Sequence, residues 1–266
     1  MVIENLYRSK EDDAMAKNDS YSALFSSDWS ECLAPSGPFD CIFYNYPDLK
    51  APLTAIFRQY TANAISLGEA IRRIEAMMPG PVTEAMMDAY LKASYDTYPG
   101  VVTFIRWCHE NHILFMLNTT GMKGYYQRAL ALALLPHVPV LSAHPFISFS
   151  EGPTDPHFFL PLYEIQDKGT NSAAVAEKYG IPAGRIIIMG DSGGDGPHFA
   201  WGTQVKALLI ASRPKPSLEK YCAQRGIVIH HRIGTADAPE KGNFMEIVPW
   251  VEAYLAEGVP TRKGHS

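Results

Sequence analysis

The alternation of short apolar runs with helix-patterned segments constrains this chain more than any other feature. "SALF" (22–25), "ILFML" (113–117), "VPVLSA" (138–143), "RIIIMG" (185–190) and "VKALLIAS" (205–212) are all of strand length. Runs that are apolar at consecutive positions bury both faces, as strands of a parallel sheet do. Helical patterns lie between most of them. "GVVTFIRWCHEN" precedes the second run, "MKGYYQRALALALL" follows it, and "NSAAVAEKYG" leads to the fourth, with Gly180 as its stop. "IVIHHRI" (227–233) reads as an edge strand, and "FMEIVPWVEAYLAEG" as a closing helix with Pro249 in its first turn or at a kink. The expected architecture is α/β: a parallel sheet covered by helices.

Residues 40–98 break the alternation. In "ISLGEAIRRIEAMM", Ser66 and Glu69 have the spacing of a capping box, and Ile71, Ile74, Met77 and Met78 share a face. "PVTEAMMDAYLKASY" is a second helix, with Met86, Met87, Tyr90, Leu91 and Ser94 on one side. Helices placed between the first and second strands predict an inserted helical cap at 40–98. The core is then 21–39 with 99–266, and the polar residues 1–20 are a loose extension. The segment 148–169 is expected to be a long loop with room for a short hairpin.

The 266 residues are 47% apolar and 19% charged, with a formal charge of −5 and no long basic run. This balance argues against nucleic-acid or anionic-membrane partners, while allowing a local basic pocket. Cys32, Cys41, Cys108 and Cys222 form no CxxC pair, so neither a zinc site nor an oxidising compartment is implied. No apolar run is long enough to span a bilayer, and the N-terminus lacks the apolar segment of a secretory signal. The expected location is cytoplasmic.

Ligands of an open parallel sheet bind beyond the carboxyl ends of its strands. Asp28 follows the first run, Asn118 to Gly121 the second, and "GDSGGD" (190–195) the fourth, while Lys168 starts the helix before the fourth. These residue types suit phosphoryl transfer. Asp28 and Asp191 can share Mg²⁺, which prefers hard oxygen ligands. Thr119, with the backbone N–H groups of Thr120 and Gly121 at a helix start, can hold phosphate oxygens; Thr120 is the register alternative. Lys168 supplies a compensating charge, and Asp195 orients it or the metal's water.

The order "SDWSEC" (27–32), "LNTTG" (117–121), "QDKGT" (166–170) and "MGDSGGD" (189–195) resembles the haloacid dehalogenase (HAD) superfamily. Within it, the chain is similar to phosphoserine-phosphatase-like proteins with a helical cap. It is most similar to the 2-hydroxy-3-keto-5-methylthiopentenyl-1-phosphate phosphatase type, through "SLGEAIRRIEAMMP" and "FMLNTTGM". The resemblance implies Mg²⁺-dependent hydrolysis of a small phosphorylated metabolite. Asp28 would be the nucleophile, and Asp28, Asp191, Asp195 and the Ser30 carbonyl would surround the metal. Thr119, Thr120, Gly121 and Lys168 would hold phosphate, and Arg73 would be a cap arginine facing substrate.

One departure stands out: Ser30 replaces the second aspartate of the D-x-D-G-T motif. In such phosphatases that aspartate protonates the leaving oxygen, help worth roughly 10²–10⁴ in rate. Three readings follow. The leaving group needs little protonation, or the protein borrows an acid, either Glu31 or a residue of the cap. Alternatively, the chemistry resembles that of phosphonoacetaldehyde hydrolases, whose D-W-A-G-T loop is similar to "DWSEC" and whose cap lysine would be Lys50 or Lys92. Or the fold binds a phosphorylated ligand or partner with little turnover. The histidines show no HxxxH spacing on one helix, and His198, just after the acidic loop, is a near-site residue.

Overall fold

β1 (Ala23–Ser27) lies at the centre of the sheet because its side chains are buried on both faces. The computed structural model describes residues 20–61, 64–235, 237–238 and 241–257. Among these, seven strands follow the order β4-β3-β2-β1-β5-β6-β7. They are β1, β2 (Ile113–Met122), β3 (Val140–His144), β4 (Phe158–Pro161), β5 (Ile186–Gly190), β6 (Leu208–Ser212) and β7 (His231–Ile233). Every pairing is parallel. The chain winds outward from β1 through β2, β3 and β4, then returns to the other side of β1 with β5. That reversal makes the β1/β5 boundary the topological switch point, where α/β sheets open a crevice.

Alternate residues feed two cores. Phe25, Phe115, Leu117, Ile187 and Ile210 pack on one face, and Leu24, Leu114, Met116, Ile188 and Leu209 on the other. The first face is covered by α5 (Val101–Glu110), α6 (Lys123–Ala131) and α10 (Val248–Glu257) through Phe104, Tyr126 and Tyr254. The second is covered by α7 (Asp167–Lys178), α8 (Gly196–Gln204) and α9 (Pro216–Arg225) through Val175, Phe199 and Leu218. Phe25 stacks on Phe115 at 5.7 Å and meets Phe104 edge-on at 4.9 Å. Pro249 falls in the first turn of α10, where a missing N–H costs nothing.

Between β1 and α5 lie α1 (Asp40–Asn45), α2 (Lys50–Thr61), α3 (Leu67–Met77) and α4 (Glu84–Ser94). In α3 the buried stripe is Leu67, Ala70, Ile71 and Ile74, a 3.6-residue period; Met77 lies just past it and is exposed. In α4 it is Met87, Tyr90 and Leu91, and Ser94 faces solvent. Half of the expected capping box forms: the Ser66 hydroxyl accepts from Glu69 N–H at 3.2 Å. The Glu69 carboxylate pairs instead with Arg72 and Arg73. Glu164, from the core, accepts the free N–H groups of Leu67 (2.9 Å) and Gly68 (3.1 Å) and so fastens α3 to the β4–α7 connection.

Two expectations are corrected. The segment 148–169 holds no hairpin; it carries β4, a parallel edge strand registered Val140↔Phe158 on β3. Its side chains are only half-buried, which weakens its sequence signature. Residues 119–121 do not start a helix. β2 continues to Met122, with a register shift between Asn118 and Met122, and α6 begins at Lys123. The polar extension with Glu11, Asp12 and Asp13 lies, up to residue 19, outside the described residues. Among the described residues no helix is long and apolar enough to cross a membrane.

Phe25 makes two aromatic contacts at the sheet centre and is fully buried. Phe25→Ala should lower unfolding free energy by about 3–5 kcal/mol in urea titrations. Replacing exposed Glu110 by Gln should change it by less than about 0.5 kcal/mol.

Candidate active site

Asp28 leaves the end of β1 with its N–H still donating to Met189 O of β5 at 3.1 Å. Asp191 leaves the end of β5. The two carboxylates therefore flank the switch point, and carboxylate oxygens of Asp28, Asp191 and Asp195 lie within 4.8 Å of one another. All three side chains are buried.

Lys168, in the first turn of α7, reaches this cluster with its side chain 1% exposed. Its ammonium lies 2.6 Å from Asp195 Oδ1 and 3.4 Å from Asp28 Oδ1. The other oxygen of Asp195 accepts the N–H groups of Asp191 (3.0 Å) and Ser192 (3.2 Å), which folds the "GDSGGD" loop around it. Gly190 is obligatory here: a Cβ would stand 2.4 Å from Asp195 Cγ. Asp195 is thus saturated by Lys168 and the loop, so its role is to position both, while Asp28 and Asp191 present oxygen to the crevice. Burial works against charge at every member. It pushes the carboxyls of Asp28 and Asp191 above the ordinary range, although Lys168 opposes this at Asp28 and Lys215 at Asp191. Burial also opposes the charges of Asp195 and Lys168, but their mutual attraction outweighs it, holding Asp195 low and Lys168 high.

The Thr119 hydroxyl is fully buried; it accepts from Gly121 N–H (3.1 Å) and Tyr126 OH (3.3 Å) and hydrogen-bonds Asp28. Thr120 points the other way along the strand and lines the cavity beside Tyr60. Gly121 permits the approach of Tyr126, whose hydroxyl would meet a Cβ at 2.7 Å. Ser30 also lines the cavity, in a tight loop where Trp29 O accepts the N–H groups of Cys32, Leu33 and Ala34. Arg73 is not brought to the cluster: its side chain, on the exposed part of α3, donates to Glu69 (2.7 Å) and Gln59 (3.1 Å). Lys50 and Lys92 are exposed, and neither lines the cavity.

Two features escaped the sequence reading. Lys215, at the N-cap of α9, places its ammonium 2.8 Å from Asp191 Oδ2 and 2.6 Å from Glu31 Oε2. Burial opposes its charge, yet Asp191 and Glu31 hold its proton more tightly than usual. Its signal was its place, three residues beyond β6, among the strand ends where ligands bind. The second is a polar network beneath the site. Asn118 Nδ2 lies 2.9 Å from Lys168 O and 3.0–3.1 Å from the hydroxyls of Ser172 and Ser26. Ser172 also meets His198 Nε2 at 2.9 Å. His198 is fully buried, and burial and the nearby Lys168 push its pKa down to about 3, so it is a neutral hydrogen-bonding group.

Comparison with solved structures gives the fold a context. A phosphoserine phosphatase captured as a phospho-aspartyl intermediate analogue superposes with a TM-score of 0.63 at 15% identity, over 86% of this chain and 99% of that one. A HAD family hydrolase from Salmonella enterica serovar Typhi gives 0.63 at 19% identity, over 89% and 72%. Cytosolic 5′-nucleotidase IIIB bound to cytidine gives 0.54 at 15% identity, over 88% and 84%. No protein-family model matches the sequence, and no curated protein sequence matches it significantly. The chain therefore has the HAD-type α/β fold, at identities where fold alone is shared.

The raised carboxyl of Asp191 has a consequence for stability. Between the unfolded carboxyl range, about 4, and the higher folded value, the native state binds more protons than the unfolded one. Stability therefore falls as pH rises through that interval. Without divalent cations, the melting temperature of the parent should fall as pH rises from about 4 to 7.5, and Asp191→Asn should make that slope shallower; a slope that is equal or steeper in the variant would contradict this.

Proposed function

We propose that this protein is a phosphohydrolase acting on a small phosphorylated metabolite through an aspartyl-phosphate at Asp28. The observation that carries the reading is the convergence of Asp28, Asp191, Asp195 and Lys168 at the β1/β5 switch point. The fold shared with phosphoserine phosphatases supports it. The chemistry of the donor set suits a hard divalent cation: buried carboxylate oxygens within 4.8 Å of each other, with net negative charge. Asp28 and Asp191 would hold Mg²⁺, with the Ser30 carbonyl beside them and Asp195 behind. When bound, the cation neutralises phosphate oxygens so that a carboxylate can approach phosphorus.

The rest is done by the chain itself. Thr119 and Trp29 N–H (2.8 Å to Asp28 Oδ1) fix the nucleophile's orientation. Lys168 stabilises charge on the transferring group, and Asp195 holds Lys168 in place. Thr120 offers a hydroxyl to a phosphate oxygen at the cavity wall. Helices α1 to α4 act as the cap, with Phe57 and Tyr60 of α2 forming the wall that excludes water and selects the leaving group. The cysteines are all free and buried, which supports a reducing location such as the cytoplasm.

Ser30 favours one rival, a protein that binds a phosphorylated ligand without turning it over. The absence of a lysine from α1–α4 along the cavity disfavours the phosphonatase-like chemistry. With Mg²⁺, the protein should hydrolyse p-nitrophenyl phosphate; EDTA should abolish the activity, and Asp28→Asn should reduce it at least about 10³-fold. Ligand-dependent thermal stabilisation without phosphate release would establish the rival.

A further inference from the structure

The cavity that opens on Asp28 encloses about 70 Å³, and its walls describe a leaving group. On the phosphohydrolase reading, these walls also define the substrate class.

The first observation is charge. The cations lining the cavity are Lys168 and Lys215, and each is held by two carboxylates. Neither is available to a second anionic group on the substrate. Arg73 is tied to Glu69 and Gln59 on the helix surface. Among the described residues, a metabolite carrying a carboxylate or a second phosphate beyond the transferring group would find no further counter-charge lining the cavity, and burying an uncompensated charge is costly.

The second observation is the wall. The apolar part of the lining is Pro38, Phe57, Tyr60 and Ile165. The rings of Phe57 and Tyr60, one helical turn apart, have centroids 6.1 Å apart and are tilted by 48°. This surface accepts a flat apolar body, by area burial and by ring–ring contact.

The third is the missing acid. The carboxylates lining the cavity are Asp28, Glu31 and Asp191. Asp28 is the nucleophile, Asp191 is paired with Lys215, and the Glu31 carboxylate shares the same ammonium through Oε2 at 2.6 Å. Position 30 presents a hydroxyl, which does not protonate a leaving oxygen at neutral pH. A leaving group that must depart as a basic alkoxide loses the roughly 10²–10⁴ that a general acid supplies. A phenol or enol oxygen, far more acidic (about 10 for a phenol), departs as its own anion.

From these three observations we infer that the substrate is the phosphate monoester of an uncharged phenol or enol on a flat, apolar body. Asp28 attacks phosphorus, the P–O bond to the substrate breaks, and its electron pair leaves with oxygen as a phenolate or enolate that takes a proton from solvent. Water then cleaves the aspartyl-phosphate, releasing inorganic phosphate and restoring the Asp28 carboxylate. No oxidant or reductant enters.

The test is kcat/KM over a series of phosphate monoesters with Mg²⁺: p-nitrophenyl, phenyl, p-carboxyphenyl and n-butyl. Phenyl phosphate should exceed n-butyl phosphate by at least 100-fold, and the p-carboxylate should lower kcat/KM at least tenfold relative to phenyl. Ser30→Asp should narrow the phenyl-to-butyl ratio at least tenfold. Should that variant not fold, the leaving-group dependence of the parent alone decides. Equal rates for phenyl and butyl, or a preference for the carboxylated ester, overturn the inference and leave the phosphohydrolase reading standing. No turnover of any ester, p-nitrophenyl phosphate included, overturns both.

Discussion

The buried contact between Lys168 and Asp195 is the interaction on which the rest of the site depends. It joins the first turn of α7 to the loop after β5 and leaves the same ammonium 3.4 Å from Asp28 at the end of β1. An ion pair this deep contributes little net stability, because desolvation offsets most of the attraction. What it gives is position. One Asp195 oxygen fixes the lysine, and the other gathers two backbone N–H groups, so the loop and the cation are set by a single side chain. Asn118, Ser26, Ser172 and His198 then hold the backbone of Lys168 from below, all buried and all polar. A sheet core that carries so many polar groups at its carboxyl edge is built for chemistry at a cost in packing.

Much of this was legible in the sequence. The strand runs 113–117 and 185–190 are apolar at every position but the charged Arg185 at the rim, and that pattern has few alternatives in a chain of this length. Asp28, Lys168, Asp191 and Asp195 could be located because each follows or precedes such a run. What escaped the reading lacks periodicity. β4 has only half-buried side chains and pairs on one side, so "FFLP" looks like loop. The continuation of β2 through "NTTGM" depends on a register shift against β3, a tertiary event that no local pattern encodes. The stacking of Asn118, Ser172 and His198 joins residues from a strand and two helices, and only the folded topology brings them together.

Helices α1 to α4 show the same division. The stripe Leu67, Ala70, Ile71, Ile74 follows from helical period. Which polar group caps α3 does not: Glu164 lies 97 residues from Leu67 and takes the N–H groups of Leu67 and Gly68, while Glu69, expected to reach back to the Ser66 N–H, pairs with arginines instead. With Glu69 turned toward Arg72 and Arg73, the arginine that resembled a substrate contact becomes part of an exposed i,i+3/i,i+4 ion-pair cluster. One carboxylate's choice of partner thus decides whether a neighbouring cation faces the cavity or the solvent.

Charge balance ties the divergent loop to the residue that the motif order did not point to. At the crevice four carboxylates, Asp28, Glu31, Asp191 and Asp195, face two ammoniums, Lys168 and Lys215. The surplus of two negative charges matches one divalent cation. An aspartate at position 30 would add a third negative charge to a buried cluster in which burial already pushes Asp28 and Asp191 toward the neutral form. Serine at that position therefore relieves like-charge repulsion as well as removing a proton donor. Lys215 belongs to the same balance: its one ammonium binds Asp191 directly and engages Glu31, the residue next to Ser30. The loop after β1 and the lysine beyond β6 are therefore one electrostatic unit, in which a single fixed ammonium offsets two carboxylates from different strand ends.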